Sequence, residues 1–353
     1  MIRVGLVGFG MAGRVFHAPL ISSVEGLELA AVVERNSDKA AERYPGITTY
    51  RSLDELLNDA FIKLVVVATP NSTHFSVAMQ TLESAKSVVV DKPVALTAGE
   101  IAQLSELAGG VGLHCFPFHN RRWDSDFQTI HKLLTERSLG RLVHFESNFD
   151  RWRPGQSSRP WKEDPDEGGI LLDLGTHLVD QALALFGEPS AVGAEARRER
   201  LGDGSTDSFT VRLHYYTGFS VTLGANCLSS LARPRYHLRG AKGNFWKWGL
   251  DPQEEALNHI ARIADTNWGQ EHADHWGTLS VDVDGGMVTR PVPTIPGDYR
   301  QYYEGVRDVL AGKSEKPPVT ATDAWRVAKI LEWARQSSDQ HRDIECDWTG
   351  APV

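Results

Sequence analysis

Residues 4–13 constrain this chain more than any other stretch. Val4-Gly5-Leu6-Val7 reads as a short buried strand, and Gly8-Phe9-Gly10-Met11-Ala12-Gly13 then leads into a segment with helical character through Ser23. G-x-G-x-x-G between a strand and a helix is the fingerprint of a dinucleotide-binding turn. Gly8 permits the tight turn, Gly10 lets the backbone approach a pyrophosphate, and Gly13 lets helix and strand pack closely. Free N–H groups at the helix start then face the phosphate charge.

The sequence around this turn alternates strand with helix. Apolar runs at 27–33, 64–68, 87–90 and 111–116 predict strands, and the spacing predicts helices at 37–44, 73–85 and 97–108, with a shorter strand–helix pair over 47–58. Strands apolar throughout and joined by helices describe a parallel sheet covered on both faces, an α/β Rossmann domain over residues 1–118. The pattern then changes. Helices are predicted at 123–137, 169–186, 302–310 and 322–337, a strand at 142–149, and a Pro, Gly and Ser-rich loop at 154–165. Period-two stretches at 208–215 and 219–225 lie in a strand-rich region from 191 to about 250. Residues 119–353 therefore read as an α+β domain on a mostly antiparallel sheet. Two domains also suit a chain of 353 residues, beyond the size at which one core stops growing.

A formal charge of −9 with no Lys or Arg run argues against nucleic acid or an anionic membrane as partner. Cys115, Cys227 and Cys346 are far apart, form no metal-ligand spacing, and suit a reducing compartment. The longest apolar runs, such as 64–68, are too short to span a bilayer, and the N-terminus runs into a strand rather than a signal peptide. A cytoplasmic protein with a small-molecule substrate and no bound metal is the expectation.

A ribose-reading acid is expected at the end of the second strand, and Glu34 stands there. A carboxylate accepts bonds from both adenosine ribose hydroxyls and repels a 2′-phosphate, whereas Arg35 beside it could pair with that phosphate. Glu34 favours NAD; Arg35 keeps NADP open. Thr69-Pro70-Asn71 follows the strand at 64–68, at the edge where ligands bind, with His74 just beyond. Asp91-Lys92-Pro93 leaves another strand at the same edge. Asp173 and His177, four residues apart, share one helix face; His suits proton transfer at neutral pH, and Asp173 could orient it or bind a substrate hydroxyl. A structural ion pair or a core histidine are the plainer readings of that pair. Arg151, Trp152 and Arg153 could offer polar contacts and a stacking face to a polyol ring, or be a solvated loop.

On Gly8–Gly13, Thr69-Pro70-Asn71, Lys92-Pro93, and Gly168-Gly169 leading to Asp173 and His177, the chain resembles the glucose–fructose oxidoreductase, inositol dehydrogenase and rhizopine-catabolism (Gfo/Idh/MocA) family. Asp91 stands where that family usually has Glu. The resemblance implies NAD(P)-linked oxidation or reduction of a hydroxyl on a sugar, sugar acid or cyclitol, with Lys92 and His177 at the reacting oxygen, and a homodimer or homotetramer. Phe16-His17-Ala18-Pro19-Leu20, residues 119–124, residues 151–154 and residues 249–254 are similar to one branch, the NADP-dependent scyllo-inositol dehydrogenases. That similarity implies Asn120 near the nicotinamide, and Trp161 with Lys162 near the cofactor or pocket mouth. Glu34 departs from that branch. A non-catalytic dinucleotide sensor, or an enzyme that transiently oxidises a bound cofactor, are the other readings.

Overall fold

A computed structural model describes residues 1–157, 163–164, 168–260, 263 and 268–352. The first sheet comprises β1 (Ile2–Val7), β2 (Leu27–Val33), β3 (Thr48–Tyr50), β4 (Leu64–Val67), β5 (Ser87–Val90) and β6 (Cys115–Pro117). They run parallel in the order β3-β2-β1-β4-β5-β6. The order reverses at β1 and β4, so the crevice beyond their carboxyl ends lies beside the glycine turn and the loop after β4. Every residue of β4 and β5 is buried, because helices cover both faces. One of those helices, Ala98–Gly110, starts at Thr97, whose hydroxyl accepts from the Glu100 amide while the Glu100 carboxylate accepts from the Thr97 amide.

The second sheet contains β7 (Leu142–Asn148), β8 (Ala191–Arg197), β9 (Ser208–His214), β10 (Ser220–Asn226), β11 (Tyr236–Gly240), β12 (Gly243–Lys247), β13 (Gly277–Val283), β14 (Gly286–Val292) and β15 (Ile344–Glu345). Its order is β14-β13-β12-β11-β7-β10-β9-β8-β15, antiparallel except where β7 meets β10. Alternation sets the register: Phe209, Val211 and Leu213 of β9 stand opposite Ala225, Leu223 and Val221 of β10, all buried. Helices Thr176–Phe186 and Ala321–Gln340 close that face.

Some elements depart from expectation. The helix predicted at 37–44 shortens to Lys39–Arg43, and the strand at 111–116 to β6. The β13–β14 hairpin was not anticipated, although Asp284-Gly285 is a hairpin-turn pair; both adopt positive φ, 52° and 87°. Tyr299, Tyr302, Tyr303 and Val306 pack into the core of the first domain with Val4 and Leu6. A cut at residue 118 thus separates the sheets, while helix Arg300–Leu310 returns to the first domain's core.

Candidate active site

The glycine turn forms a cradle whose shape excludes side chains. Gly8 has φ +96°, and a Cβ there would lie 2.7 Å from the Ala68 carbonyl oxygen. A Cβ on Gly13 would lie 2.1 Å from the Gly8 carbonyl oxygen. A Cβ on Gly10 would meet nothing within 4 Å, since that glycine faces open cleft. This is the surface a dinucleotide pyrophosphate needs, so the residues present fit the cofactor. Met11 and Ala12 line the cleft; Phe9 turns inward, edge-on to Tyr44 at 6.3 Å.

Glu34 stands at the end of β2, and its carboxylate is held from within its own loop. It is buried, its Oε1 accepts from the Ser37 hydroxyl at 2.6 Å, and its Oε2 accepts from the Ala40 amide at 2.7 Å. Both oxygens are therefore engaged within their own loop, at the start of helix Lys39–Arg43. Arg35 is exposed beside it. Arg51 closes the loop from outside, donating to the carbonyls of Glu34 and Ser37 and to Asp38.

Thr69, Pro70, Asn71 and His74 line the cleft beyond β4. His74 is buried at the start of helix His74–Glu83, with Nδ1 2.7 Å from the Pro93 carbonyl oxygen and Nε2 2.9 Å from that of Thr69. It braces the loop after β4 against the loop after β5.

At the end of β5, Lys92 reaches across to the second domain. Its Nζ donates to the Asp173 backbone carbonyl at 2.7 Å and to Asp173 Oδ1 at 2.8 Å. Asp173 lies in a wide helical turn, Leu171–Gly175, ahead of helix Thr176–Phe186. Such a turn holds an extra residue, so the simple four-residue spacing assumed for Asp173 and His177 does not apply. The carboxylate engages Lys92, and His177 Nδ1 is buried without a partner among the described residues. Burial drives the His177 imidazole well below the ordinary histidine pKa, and the Lys92 and Arg121 charges push it the same way. The ring is therefore neutral at pH 7. Asp91 accepts from the Lys92 amide at 2.8 Å. Burial alone would raise its pKa, but His17, 3.8 Å away, and the Lys92 ammonium outweigh burial and hold it below the usual carboxylate value.

Asn120 is buried along the same cleft, as is Arg121, whose guanidinium pairs at 2.7 Å with the partly exposed Glu254 carboxylate. Arg121, Glu254 and His17 were not singled out as site residues. For Arg121 a signal existed, since it follows β6 at the ligand edge. Arg151 and Arg153 line the cleft from the second domain. Trp152 does not: strand-like alternation turns it outward, 60% exposed and bridged to Leu228. Trp161 and Lys162 lie outside the described residues. The open cleft spans about 1650 Å³, adjoining solvent included.

A glycine cradle on one domain thus faces a lysine–aspartate–histidine group shared with the other. Residues 2–119 match the oxidoreductase family with an NAD-binding Rossmann fold, and residues 127–246 match the GFO/IDH/MocA C-terminal domain. The chain belongs to the Gfo/Idh/MocA oxidoreductases. Among its Gfo/Idh/MocA relatives, it is 41% identical over 346 residues to the uncharacterized oxidoreductase YdgJ of Escherichia coli, covering 98% of each chain. It is 32% identical over 343 residues to scyllo-inositol 2-dehydrogenase (NADP(+)) IolW of Bacillus subtilis, covering 97% of this chain and 95% of that one. The solved structure of YPO2259 from Yersinia pestis superposes with a TM-score of 0.93 at 41% identity, over 98% of this chain and 97% of that one.

Proposed function

We propose that this protein is an NADP-preferring dehydrogenase acting on a secondary hydroxyl of a polyol, cyclitol or sugar. The observation that carries the reading is the convergence of Lys92, Asp173 and His177 at the carboxyl end of β5, along the cleft that the glycine cradle opens into. The nicotinamide, when bound, supplies the hydride acceptor or donor.

Oxidising a carbinol builds negative charge on its oxygen. The Lys92 ammonium has three N–H groups; two serve Asp173, and the third is free to donate to that oxygen. Asp173 fixes the direction of the ammonium. His177, neutral because it is buried near two cations, accepts the hydroxyl proton. Its depressed basicity favours handing that proton on rather than keeping it. Asn120 and the Arg121–Glu254 pair shape the wall beside it.

The preference for NADP rests on Glu34. Its two oxygens already accept from Ser37 and Ala40, leaving exposed Arg35 to meet the 2′-phosphate. The NADP-dependence in the name of the IolW relative points the same way. The test is turnover of NADP against a panel of cyclitols, sugars and sugar acids, read as formation of reduced nicotinamide. Oxidation of at least one class is expected. Tight cofactor binding with no turnover across the panel would favour a dinucleotide sensor instead.

A further inference from the structure

We propose that the substrate carries an anionic group, carboxylate or phosphate, which Arg151 and Arg153 hold while its hydroxyl reacts at Lys92. This rests on the dehydrogenase reading above and specifies its substrate.

A side chamber with about 950 Å³ of atom-free space opens off the cleft, and both spaces share Asn71, Arg151, Arg153 and Asp173 as walls. A ligand whose hydroxyl sits at Lys92 therefore extends naturally past the two arginines. The carboxylates around this chamber are already engaged. Asp173 is paired with Lys92. Glu163 takes the guanidinium of Arg200 at 3.0 Å and that of Arg198 at 3.6 Å. Asp207 takes Arg200 at 2.8 Å and also accepts from the Glu199 and Arg200 amides.

Arg151 and Arg153 remain without a carboxylate or side-chain hydrogen bond among the described residues. Other arginines of this domain show the contrast. Arg122 is paired with Asp180 and Asp323, and Arg233 with Asp150. Arg121 and Arg235 crowd the same Phe149 ring as Arg151, at 5.0, 4.6 and 5.7 Å, but each of those two also has an aspartate within 4 Å. Among the described residues Arg151 has the ring and no ion pair within 4 Å. Burial lowers its guanidinium below the ordinary value despite the attraction of the Asp173 and Glu254 charges. A protein with a net charge of −9 has no general shortage of carboxylates, so two guanidiniums on one chamber wall with no ion pair among the described residues are a local arrangement. A planar fork matches a carboxylate or phosphate in two-point hydrogen bonding, whereas neutral hydroxyls leave its charge uncompensated.

The experiment is calorimetric titration of the NADPH-loaded protein, in which alcohols bind without being oxidised. The probes are D-glucose, D-glucuronate, a D-glucose phosphate ester and scyllo-inositol. At least one charged probe is expected to bind about 10- to 100-fold more tightly than the neutral ones, as charge-assisted bonds allow. The tighter of the two charged probes identifies the group. Added salt should shrink the advantage, and Arg151→Gln with Arg153→Gln should abolish it while NADPH affinity stays unchanged. Equal binding of neutral and charged probes, retention of the preference in the double variant, or no binding by any probe would each overturn the proposal. Neutral probes that bind equally and are oxidised with NADP would remove the anion inference alone. Failure of NADPH to bind would remove the dehydrogenase reading, and this inference with it.

Discussion

Glu34 shows how a residue can occupy a functional position while serving its own loop. Its carboxylate accepts a hydroxyl and an amide within six residues, so its identity and its availability to ligand are separate matters. Glu34→Ala should cost about 1 kcal/mol of stability, the usual scale of a lost helix cap, and leave the preference for NADPH intact. Arg35→Ala should lower NADPH affinity at least about tenfold while sparing NADH, as loss of a charge-assisted bond implies. Fluorescence titration reads both; a wild type that binds NADH as tightly as NADPH would contradict the account. His177 gives a pH signature. Its folded-state pKa lies below the ordinary value near 6.5, so in that window the unfolded chain binds more protons. Its contribution to stability is complete above that value and is lost as pH falls through the window. Urea denaturation should show the wild type losing stability relative to His177→Leu between about pH 7.5 and 5. Parallel curves would mean that the imidazole is not held neutral by the fold.

At the scale of elements, the site depends on loops at strand ends, and His74 ties two of them together. His74→Phe fills much the same space but removes the ring N–H that donates to the Thr69 or Pro93 carbonyl. Stability should fall by about 1–3 kcal/mol and NADPH affinity should weaken, with partial recovery in His74→Gln. Thermal melts and cofactor titration check this; unchanged values in both would make His74 a passive core residue. The strands that carry these loops were readable in the sequence because β4 and β5 are short apolar runs buried on both faces. The cleft positions of Lys92, Thr69 and Asn71 followed from that, since a strand end fixes where the next residues stand. Less legible was whatever depends on local phase. The wide turn at Leu171–Gly175 sets Asp173 against Lys92, and alternation turned Trp152 away from Arg151 and Arg153. Neither follows from spacing alone. Nor does the occupancy of Glu34, which depends on the Ser37 and Ala40 donors folding back onto it.

At the scale of the whole molecule, the proposed reaction site lies where the two domains meet. Lys92 comes from the first sheet and Asp173 from the helix over the second, and their ion pair crosses the cleft between them. A further tie holds the halves in register: Tyr303 from the returning helix lies 2.7 Å from His17 beneath the glycine turn. This frame permits Lys92→Met to remove the ammonium while keeping most of the apolar stem. The most direct measurement is the steady-state turnover of folded Lys92→Met beside its NADPH affinity. Turnover should fall by about 10²–10³, the usual effect of deleting one donor to a developing oxyanion, with cofactor affinity near wild type. Near-normal turnover in that variant would contradict the assignment of Lys92 to the reacting oxygen, and with it the mechanism built on this cleft.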